Sequence, residues 1–133
     1  MKANELRIGN YLNLLESEDD FHEVQSFDED CMSFKGYVSW NYIGFDEVLP
    51  IPLTEKWLLA LGFEFYKVLS HYRKVIDDFW YQIKKTPDGQ FLFSFTNLSY
   101  DEVNHMPPKL ISEIHQLQNL FFALTGKELK IKD

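Results

Sequence analysis

The stretch PPKLISEIHQLQNLFFALTGKELKI, residues 107–131, decides the fold that we predict for this chain. Its apolar residues recur at alternating steps of four and three, which is the spacing of a single helical face turned toward a core. Pro108 suits the first helical turn, where its missing N–H is no loss, and Gly126 suits the left-handed position after the last turn. We therefore predict one long helix, a glycine stop and a short closing strand. The predicted core face consists of Leu110, Ile114, Leu117, Phe121 and Leu124.

The composition is that of a globular protein whose core is rich in aromatic rings. The chain has 133 residues, among them 12 Phe, 7 Tyr and 3 Trp, which suits one domain or one domain with a small appended lobe. Its single cysteine, Cys31, cannot form an internal disulfide, and the acidic residues before it make it a poor nucleophile. We find no signal-peptide pattern and no apolar run long enough to span a membrane. We expect a soluble, cytoplasmic protein that does not bind membranes.

The net charge of -8 arises entirely in the first part of the chain. Residues 1–50 carry eleven acidic and three basic side chains, whereas residues 51–133 carry ten of each. Such an acidic surface repels phosphate, so direct binding of nucleic acid is disfavoured and a basic partner would be attracted instead. An acidic surface that serves solubility alone is the simpler explanation.

Residues 1–49 predict an acidic β-rich lobe. Short segments of strand character follow one another at about ten-residue spacing, which is typical of a small, strongly bent antiparallel sheet or an SH3-like barrel. We expect a turn at residues 16–20 and another at 28–30. The predicted strands are residues 6–14, with a kink at Gly9, and residues 21–27, 31–34 and 37–45.

Residues 50–133 predict an α+β lobe that ends in the long helix. The prolines of DEVLPIPL, residues 46–53, favour a stiff connector between the lobes, and Thr54 is a suitable N-cap for a short helix that Gly62 stops. Alternating residues around Thr86-Pro87-Asp88-Gly89 predict a β-hairpin. The predicted fold class is α+β, in which one short helix and the long C-terminal helix pack on an antiparallel sheet that includes the hairpin. Whether both lobes form one compact domain stays open.

No residue pattern indicates catalysis or metal binding. The four histidines, at positions 22, 71, 105 and 115, lack the spacing of a metal site, and no nucleophile, phosphate-loop or dinucleotide motif occurs. The acidic run at residues 28–30 is not a calcium loop, because Ser33 and Ser39 replace the required glycine and bidentate acid. We therefore predict no catalytic residue, no metal and no cofactor.

A second stripe of the long helix supplies the first candidate binding residues. His115, Gln118 and Phe122 recur at steps of three and four beside the core face, and Asn119 lies close to them. They are either flank residues that hydrogen-bond to the sheet or to water, or an exposed face for recognition or self-association. Homo-oligomer formation therefore stays open.

The hairpin carries a second group of candidates, in which aromatic rings lie next to basic side chains. Alternation places Trp80 and Lys84 on one face, and Lys85 and Phe91 lie on or near the same hairpin. This composition is typical of surfaces that stack single-stranded nucleic acid, although a hairpin with one face in the core is the simpler explanation. Together with Trp40, the residues Trp80 and either Lys84 or Lys85 would line a pocket for a small molecule.

Three segments of the chain resemble a known family. NELRIGNYL at residues 4–12, PIPLTEKWLLALGF at 50–63 and HQLQNLFFALTGKELKI at 115–131 are similar to segments of small uncharacterised proteins found in gut Bacteroidales bacteria and in their phages and prophages. The resemblance implies a phage-associated context inside a bacterial host cell. It transfers no catalytic residue. It favours a shared scaffold over a shared active site, since the segments coincide with predicted helix faces and glycine stops.

Two main hypotheses of function follow. The first is a non-enzymatic binding module of phage origin that acts on a host or phage protein through the acidic first lobe or the exposed face of the last helix. Mimicry of nucleic acid by the acidic lobe, in counter-defence against a basic host protein, is one form of it. The alternative is a protein that binds or sequesters a nucleotide signal, and an enzyme comes third. Binding that weakens steeply with salt favours the first, and a ligand-dependent rise in melting temperature favours the second.

Overall fold

The structure, a computed structural model, describes residues 5–15, 17–28, 30–36, 43–77, 79–97 and 108–131, with the backbone alone at residues 17–20, 96 and 97. The chain divides into two compact units. The first comprises Met1–Pro52 and Glu113–Leu129, and the second comprises Leu53–Ser112 and Lys130–Asp133. Within the described residues, each unit contains a five-stranded antiparallel sheet and one α-helix, which confirms the predicted α+β class.

The first unit is built on five strands in the order β4-β3-β2-β1-β5. Neighbouring strands are antiparallel, and in the described part of the chain β4 and β5 are the two edges, so the sheet is open and does not close into a barrel. The strands are β1 (Tyr11–Leu14), β2 (Ser17–Phe27), β3 (Cys31–Phe34), β4 (Ile43–Gly44) and β5 (Val48–Pro50), with a 3-10 turn at Phe45–Glu47.

The strands of this sheet differ from the predicted ones in detail. β3 has the predicted bounds, but β2 already begins at Ser17, so the turn predicted at residues 16–20 is largely strand. This is possible because the connection in an antiparallel hairpin needs few residues. Gly9, with φ +97°, lies in a turn before β1 and does not kink a strand. Residues 37–42 of the predicted fourth strand lie outside the described residues.

Alternation along the strands places the core of the first unit on one face of its sheet. Leu12 and Leu14 of β1 are two positions apart, as are Met32 and Phe34 of β3, and all four are buried. The same cluster contains Leu6, Val24, Ile43 and Val48, with Phe27 and Phe45 packed against it.

The predicted connector of residues 46–53 is partly a strand. Val48–Pro50 form β5, which pairs with β1, and Pro52 makes an isolated antiparallel bridge with Glu113. Proline is tolerated in β5 because an edge strand needs ladder hydrogen bonds on one side only. The predicted extended conformation is therefore confirmed, but Val48–Pro50 belong to the first sheet and do not form a separate connector.

The second unit begins with a short capped helix, α1 (Glu55–Ala60). As predicted, Thr54 caps it, because its Oγ1 accepts the N–H of Trp57 at 3.2 Å, and Gly62 follows with φ +92°. Five antiparallel strands come next, in the order β10-β9-β8-β7-β6. They are β6 (Glu64–Tyr66), β7 (His71–Ile76), β8 (Phe79–Lys85), β9 (Phe91–Asn97) and β10 (Lys109–Ile111).

The predicted hairpin is confirmed. β8 and β9 pair without a shift in register from Phe79↔Asn97 to Lys85↔Phe91. At the turn, the N–H of Thr86 donates to the oxygen of Gln90 at 2.7 Å, and the N–H of Gly89 donates to the oxygen of Thr86 at 2.9 Å. Gly89 has φ +87°, a conformation that glycine adopts without strain.

The C-terminal helix, α2 (Ile114–Thr125), is shorter than predicted. It does not begin near Pro108, because Glu113 and Gln116 form a capping box at its start. The residues before this box, Lys109–Ile111, pair with β9 as β10, so Leu110 is 56% exposed and does not join a helical core face. The helix belongs to the first unit, whereas the predicted lobe of residues 50–133 placed it with the hairpin.

The rest of α2 follows the predicted pattern except at Leu124, in the last turn of the helix, which is 38% exposed and does not join the core face. Ile114, Leu117 and Phe121 are buried, and the helix packs on β1. The glycine stop is confirmed, since Gly126 has φ +72° and its N–H donates to the oxygen of Phe122 at 2.8 Å. The prediction of a short closing strand is wrong, because residues 128–131 form no strand. Leu129 is nevertheless buried.

Candidate functional site

Gln118, for which the sequence predicts either a hydrogen bond to the sheet or an exposed recognition face, is fully buried and fits the first alternative. Its Oε1 accepts the N–H of Tyr11 at 2.8 Å, and its Nε2 donates to the main-chain oxygens of Gly9 and Leu129, each at 3.1 Å. A buried amide needs partners for its donors and its acceptor, and these main-chain groups supply them. Gln118 therefore joins α2 to the N-terminal segment and offers no surface to a partner.

Asn119 forms hydrogen bonds to the same N-terminal segment. Its Nδ2 donates to the main-chain oxygen of Glu5 at 2.9 Å. Its Oδ1 accepts from Nη1 of Arg7 at 3.0 Å and from Nδ2 of the buried Asn10 at 2.8 Å. Both groups of the Asn119 amide are thus used inside the unit.

Phe122 is the most exposed residue of the predicted stripe. It is 38% exposed, and the guanidinium of Arg7 lies 3.9 Å from its centroid. Arg7 also pairs with Glu128. The exposed part of Phe122 therefore borders an ion pair and does not form an apolar patch.

His115 is buried in α2. Its Nδ1 has no hydrogen-bond partner among the described residues. Burial lowers the pKa of His115, and the nearby Glu5 raises it in part, so the imidazole is neutral at pH 7. The predicted recognition stripe of α2 is therefore mostly interior.

The hairpin candidates divide between two faces of the second sheet. Nζ of Lys85 pairs with the carboxylate of Glu55 on α1 at 3.0 Å, and Phe91 is buried on the same side. Trp80 and Lys84 alternate with these residues along β8 and lie on the opposite face. Lys85 is therefore separated from Trp80 and Lys84. Trp40 lies outside the described residues.

We call the face with Trp80 and Lys84 the outer face of the second sheet. By register and alternation it also carries Glu64, Tyr66, His71, Arg73, Val75, Gln82, Leu92, Ser94 and Leu110. The opposite face is the core side, since it buries Tyr72, Tyr81, Ile83, Phe91, Phe93 and Ile111.

At the centre of the outer face, the guanidinium of Arg73 lies between two aromatic rings. Its Cζ is 3.5 Å from the centroid of Tyr66 and 3.4 Å from that of Trp80. The negative faces of the rings attract the cation and fix its plane. A guanidinium covered in this way presents its in-plane N–H groups, which suit bidentate contact with an oxyanion.

Three buried nitrogen atoms of the outer face have no hydrogen-bond partner among the described residues: Nε of Arg73, Nε1 of Trp80 and Nε2 of His71. His71 is only 6% exposed, and its ring centroid lies 5.9 Å from that of Trp80 and 6.1 Å from that of Tyr66. Burial, followed by the positive charges of Arg73 and Lys84, lowers the pKa of His71.

The charge of the outer face is positive at its centre. Among the described residues, no carboxylate lies within ion-pair distance of Arg73. Glu64 stands opposite Arg73 in the sheet, but its Oε2 accepts from the hydroxyl of Tyr66 at 3.4 Å. Lys84, on the same face, is exposed. Arg73 and Lys84 are therefore two cations without a described counterion.

An open depression of about 390 Å³ borders Arg73. Its volume is that of a site for a small molecule. It is lined by Gly62, Glu64, Tyr66, Arg73, Lys74 and Val75.

A separate group of carboxylates lies at one end of the first sheet. Because Cys31 pairs with Gly44, the turn that ends at Asp30 and the 3-10 turn after β4 are neighbours. The exposed acidic residues of these two turns, which we call the acidic end, are Asp28, Asp30, Asp46 and Glu47.

Asp28 organises its turn. Its Oδ1 accepts the N–H of Asp30 at 2.8 Å and that of Cys31 at 3.0 Å, and these bonds lower the pKa of Asp28. Its charge therefore persists into the acidic range. The pKa of Cys31 is raised, first by desolvation and then by Asp28, so the sulfur is a thiol at pH 7.

The predicted binding residues do not include Tyr66, His71 or Arg73. The alternation of HYRKV, residues 71–75, does place His71 and Arg73 on one face. Their stacking on Tyr66 and Trp80 depends on which strands are neighbours, and no local pattern gives that.

Among the described residues, no group of three or more His, Cys, Asp or Glu side chains is placed to hold a metal ion. Nor does the described part contain a helix long and apolar enough to cross a membrane. Comparison of the chain with protein-family models, with curated proteins and with solved structures finds no match.

Proposed function

We propose that the chain is a non-enzymatic binding protein that docks a basic surface of another protein at the acidic end of its first unit. The observation that carries this proposal is the meeting of two acidic turns at one end of the sheet, one with Asp28 and Asp30 and the other with Asp46 and Glu47. Clustered exposed charges attract a partner of opposite sign and orient its approach.

The ion pairs of the first unit support this proposal. Arg7 pairs with Glu128, and Lys35 pairs with Glu23 at 3.9 Å. Among the described residues, no ion pair involves a carboxylate of the acidic end. The charges there remain available to a partner.

The resemblance to phage- and prophage-associated proteins supports a host or phage protein as the partner, met in the bacterial cytoplasm. A groove that holds nucleic acid is one suitable surface, because carboxylates can take the place of phosphates against its Lys and Arg side chains. The chain would then act as an acidic mimic in counter-defence.

Affinity capture from a Bacteroidales lysate tests the proposal. The immobilised wild type is compared with Asp30→Lys/Glu47→Lys, which reverses two exposed charges and keeps the Asp28 turn. The matched control is Asp30→Glu/Glu47→Asp, which alters the same two side chains and keeps their charge. Quantitative mass spectrometry identifies the retained proteins at low and high salt.

We expect one basic protein to be retained by the wild type and the control, and to be lost from the charge-reversed variant and at high salt. The purified partner should then bind in solution with the same order among the variants. Equal retention by all three proteins, or retention that does not respond to salt, contradicts the proposal.

A further inference from the structure

We propose that the outer face of the second sheet is a binding site for a small ligand that carries a phosphate monoester, with Arg73 as its central contact and Lys84 as a second cation. The site lies in the second unit and is independent of the acidic end. The ligand site can therefore be tested separately from the proposed docking of a basic protein.

Arg73 is held between two aromatic rings. The rings of Tyr66 and Trp80 lie 3.5 Å and 3.4 Å from its Cζ, and this removes water from both sides of the cation. A cation that is ordered in this way and lacks a described carboxylate partner is preorganised for an anion from outside. An ordinary surface arginine keeps its freedom and its hydration.

Among the described residues, the outer face also contains a set of unpaired nitrogen atoms. Nε of Arg73, Nε1 of Trp80 and Nε2 of His71 are buried without partners in the described part of the chain, and their side chains are immediate neighbours. A buried donor without an acceptor is unfavourable. An oxyanion at this position would supply the acceptors that these side chains lack, after small rotations that open them to the depression.

The unpaired nitrogen atoms and the second cation of the outer face favour phosphate over carboxylate as the ligand group. A carboxylate offers two oxygens in one plane, which satisfy one guanidinium fork. Here nitrogen atoms on three neighbouring side chains lack partners among the described residues, and Lys84 adds a further charge on the same face. The three terminal oxygens and the double charge of a phosphate monoester match this arrangement better.

Beside Arg73 there is open space for the rest of the ligand. The depression of about 390 Å³ is lined by Tyr66 and Arg73 and extends along Glu64 and Val75. It can hold the remainder of a metabolite-sized ligand, for which a volume of several hundred Å³ is usual. Glu64, at its rim, is a hydrogen-bond acceptor for a hydroxyl or amino group of that ligand.

Titration of the ¹⁵N-labelled full chain tests the site, at constant ionic strength, with inorganic phosphate, adenosine monophosphate and succinate as probes. The Trp80 indole N–H signal, assigned with Trp80→Phe, reports on the site directly. We expect saturable shifts of this signal with adenosine monophosphate and weaker ones with phosphate, at concentrations up to about 10 mM. Equal affinity for succinate would overturn the assignment to phosphate.

Lys84→Gln and Lys85→Gln provide a matched pair. They remove the same charge from adjacent residues, but Lys84 lies on the outer face and Lys85 pairs with Glu55 on the core side. We expect Lys84→Gln to raise the Kd for adenosine monophosphate about fivefold and Lys85→Gln to leave it within about twofold. Equal effects of the two variants, or no shift of the Trp80 signal with any probe, would overturn the proposal.

Arg73→Lys completes the test. It keeps the charge and removes the planar fork, so affinity for the phosphate probes should fall at least tenfold. Its fold is checked by the dispersion of its amide spectrum. A well-folded Arg73→Lys protein with the affinity of the wild type contradicts the role of Arg73.

Discussion

The side-chain oxygen of Gln118 accepts the main-chain N–H of Tyr11 at 2.8 Å, and thereby ties the last helix to the first strand across 107 positions of the chain. The same amide donates to the main-chain oxygens of Gly9 and Leu129. We expect Gln118→Leu to leave these buried groups unpaired and to lower the free energy of unfolding by about 2–4 kcal/mol. Urea denaturation measures the loss.

Gln25→Leu is the matched control for this prediction. Gln25 lies on β2 and is exposed, so the same substitution there should change the free energy of unfolding by no more than about 0.5 kcal/mol. Similar losses at positions 25 and 118 would argue against a structural role of the Gln118 hydrogen bonds.

Phe121 and Phe122 are adjacent rings with opposite environments. Phe121 is 1% exposed and sits on the buried face of α2, whereas Phe122 is largely at the surface. We expect Phe121→Ala to lower the free energy of unfolding by about 3–5 kcal/mol and Phe122→Ala by about 1 kcal/mol. Thermal and urea denaturation of the two variants test the difference, and a reversed order would refute the assignment of the core face.

Acid should destabilise the protein through its buried histidines. Burial lowers the pKa of His71 and of His115 in the folded state, so the unfolded chain binds more protons once the pH falls below the ordinary histidine value. The stability contribution is complete above about pH 6.5 and is lost as the pH falls toward the lowered values. Urea denaturation at about pH 7.5 and about pH 5.5 measures this slope.

His115→Gln identifies the contribution of one histidine, because glutamine does not titrate. We expect this variant to lose less stability than the wild type over the same pH interval. Glu113, whose pKa burial raises, acts in the opposite direction, but mainly in the carboxylate range at lower pH. An unchanged slope in His115→Gln would contradict the neutral, buried state of His115.

Alanine substitutions at Gly62 and Gly89 can distinguish the cost of a positive φ from the cost of a steric contact with the added Cβ. Both have positive φ, but a Cβ at Gly62 would lie 2.6 Å from Nζ of Lys74, whereas a Cβ at Gly89 would meet nothing within 4 Å. We expect Gly89→Ala to cost about 1 kcal/mol and Gly62→Ala about 2 kcal/mol, since Lys74 must give up its hydrogen bond to Leu61. Equal costs in urea denaturation would show that Lys74 moves freely.

Features decided by neighbouring residues could be predicted from the sequence. The hairpin turn and the Thr54 cap follow from the chemistry of a few adjacent residues, and both are confirmed. Leu110 shows the limit of this reasoning. It fits the helical repeat, but pairing with β9 and the capping box at Glu113 place it in a strand.

The candidate site could be predicted only in part, because it depends on contacts between strands. Trp80 and Lys84 lie on one face, as alternation predicts. Arg73 becomes part of the site only because β7 lies between β6 and β8. The burial of Gln118 could not be predicted either. In sequence, a polar residue beside a core stripe looks like a surface residue, because its main-chain hydrogen-bond partners are not visible there.

The discontinuity of the first unit has a consequence for biosynthesis. Its sheet is encoded before Pro52, but α2 is translated only after Leu53–Ser112, which make up nearly all of the second unit. During synthesis, the first sheet therefore lacks the helix that covers β1. The second sheet is nearly continuous in sequence and can form before the first unit is complete. A chain released before α2 is synthesised would expose the apolar groups that Leu117 and Phe121 cover, and would be a substrate for chaperones and proteases.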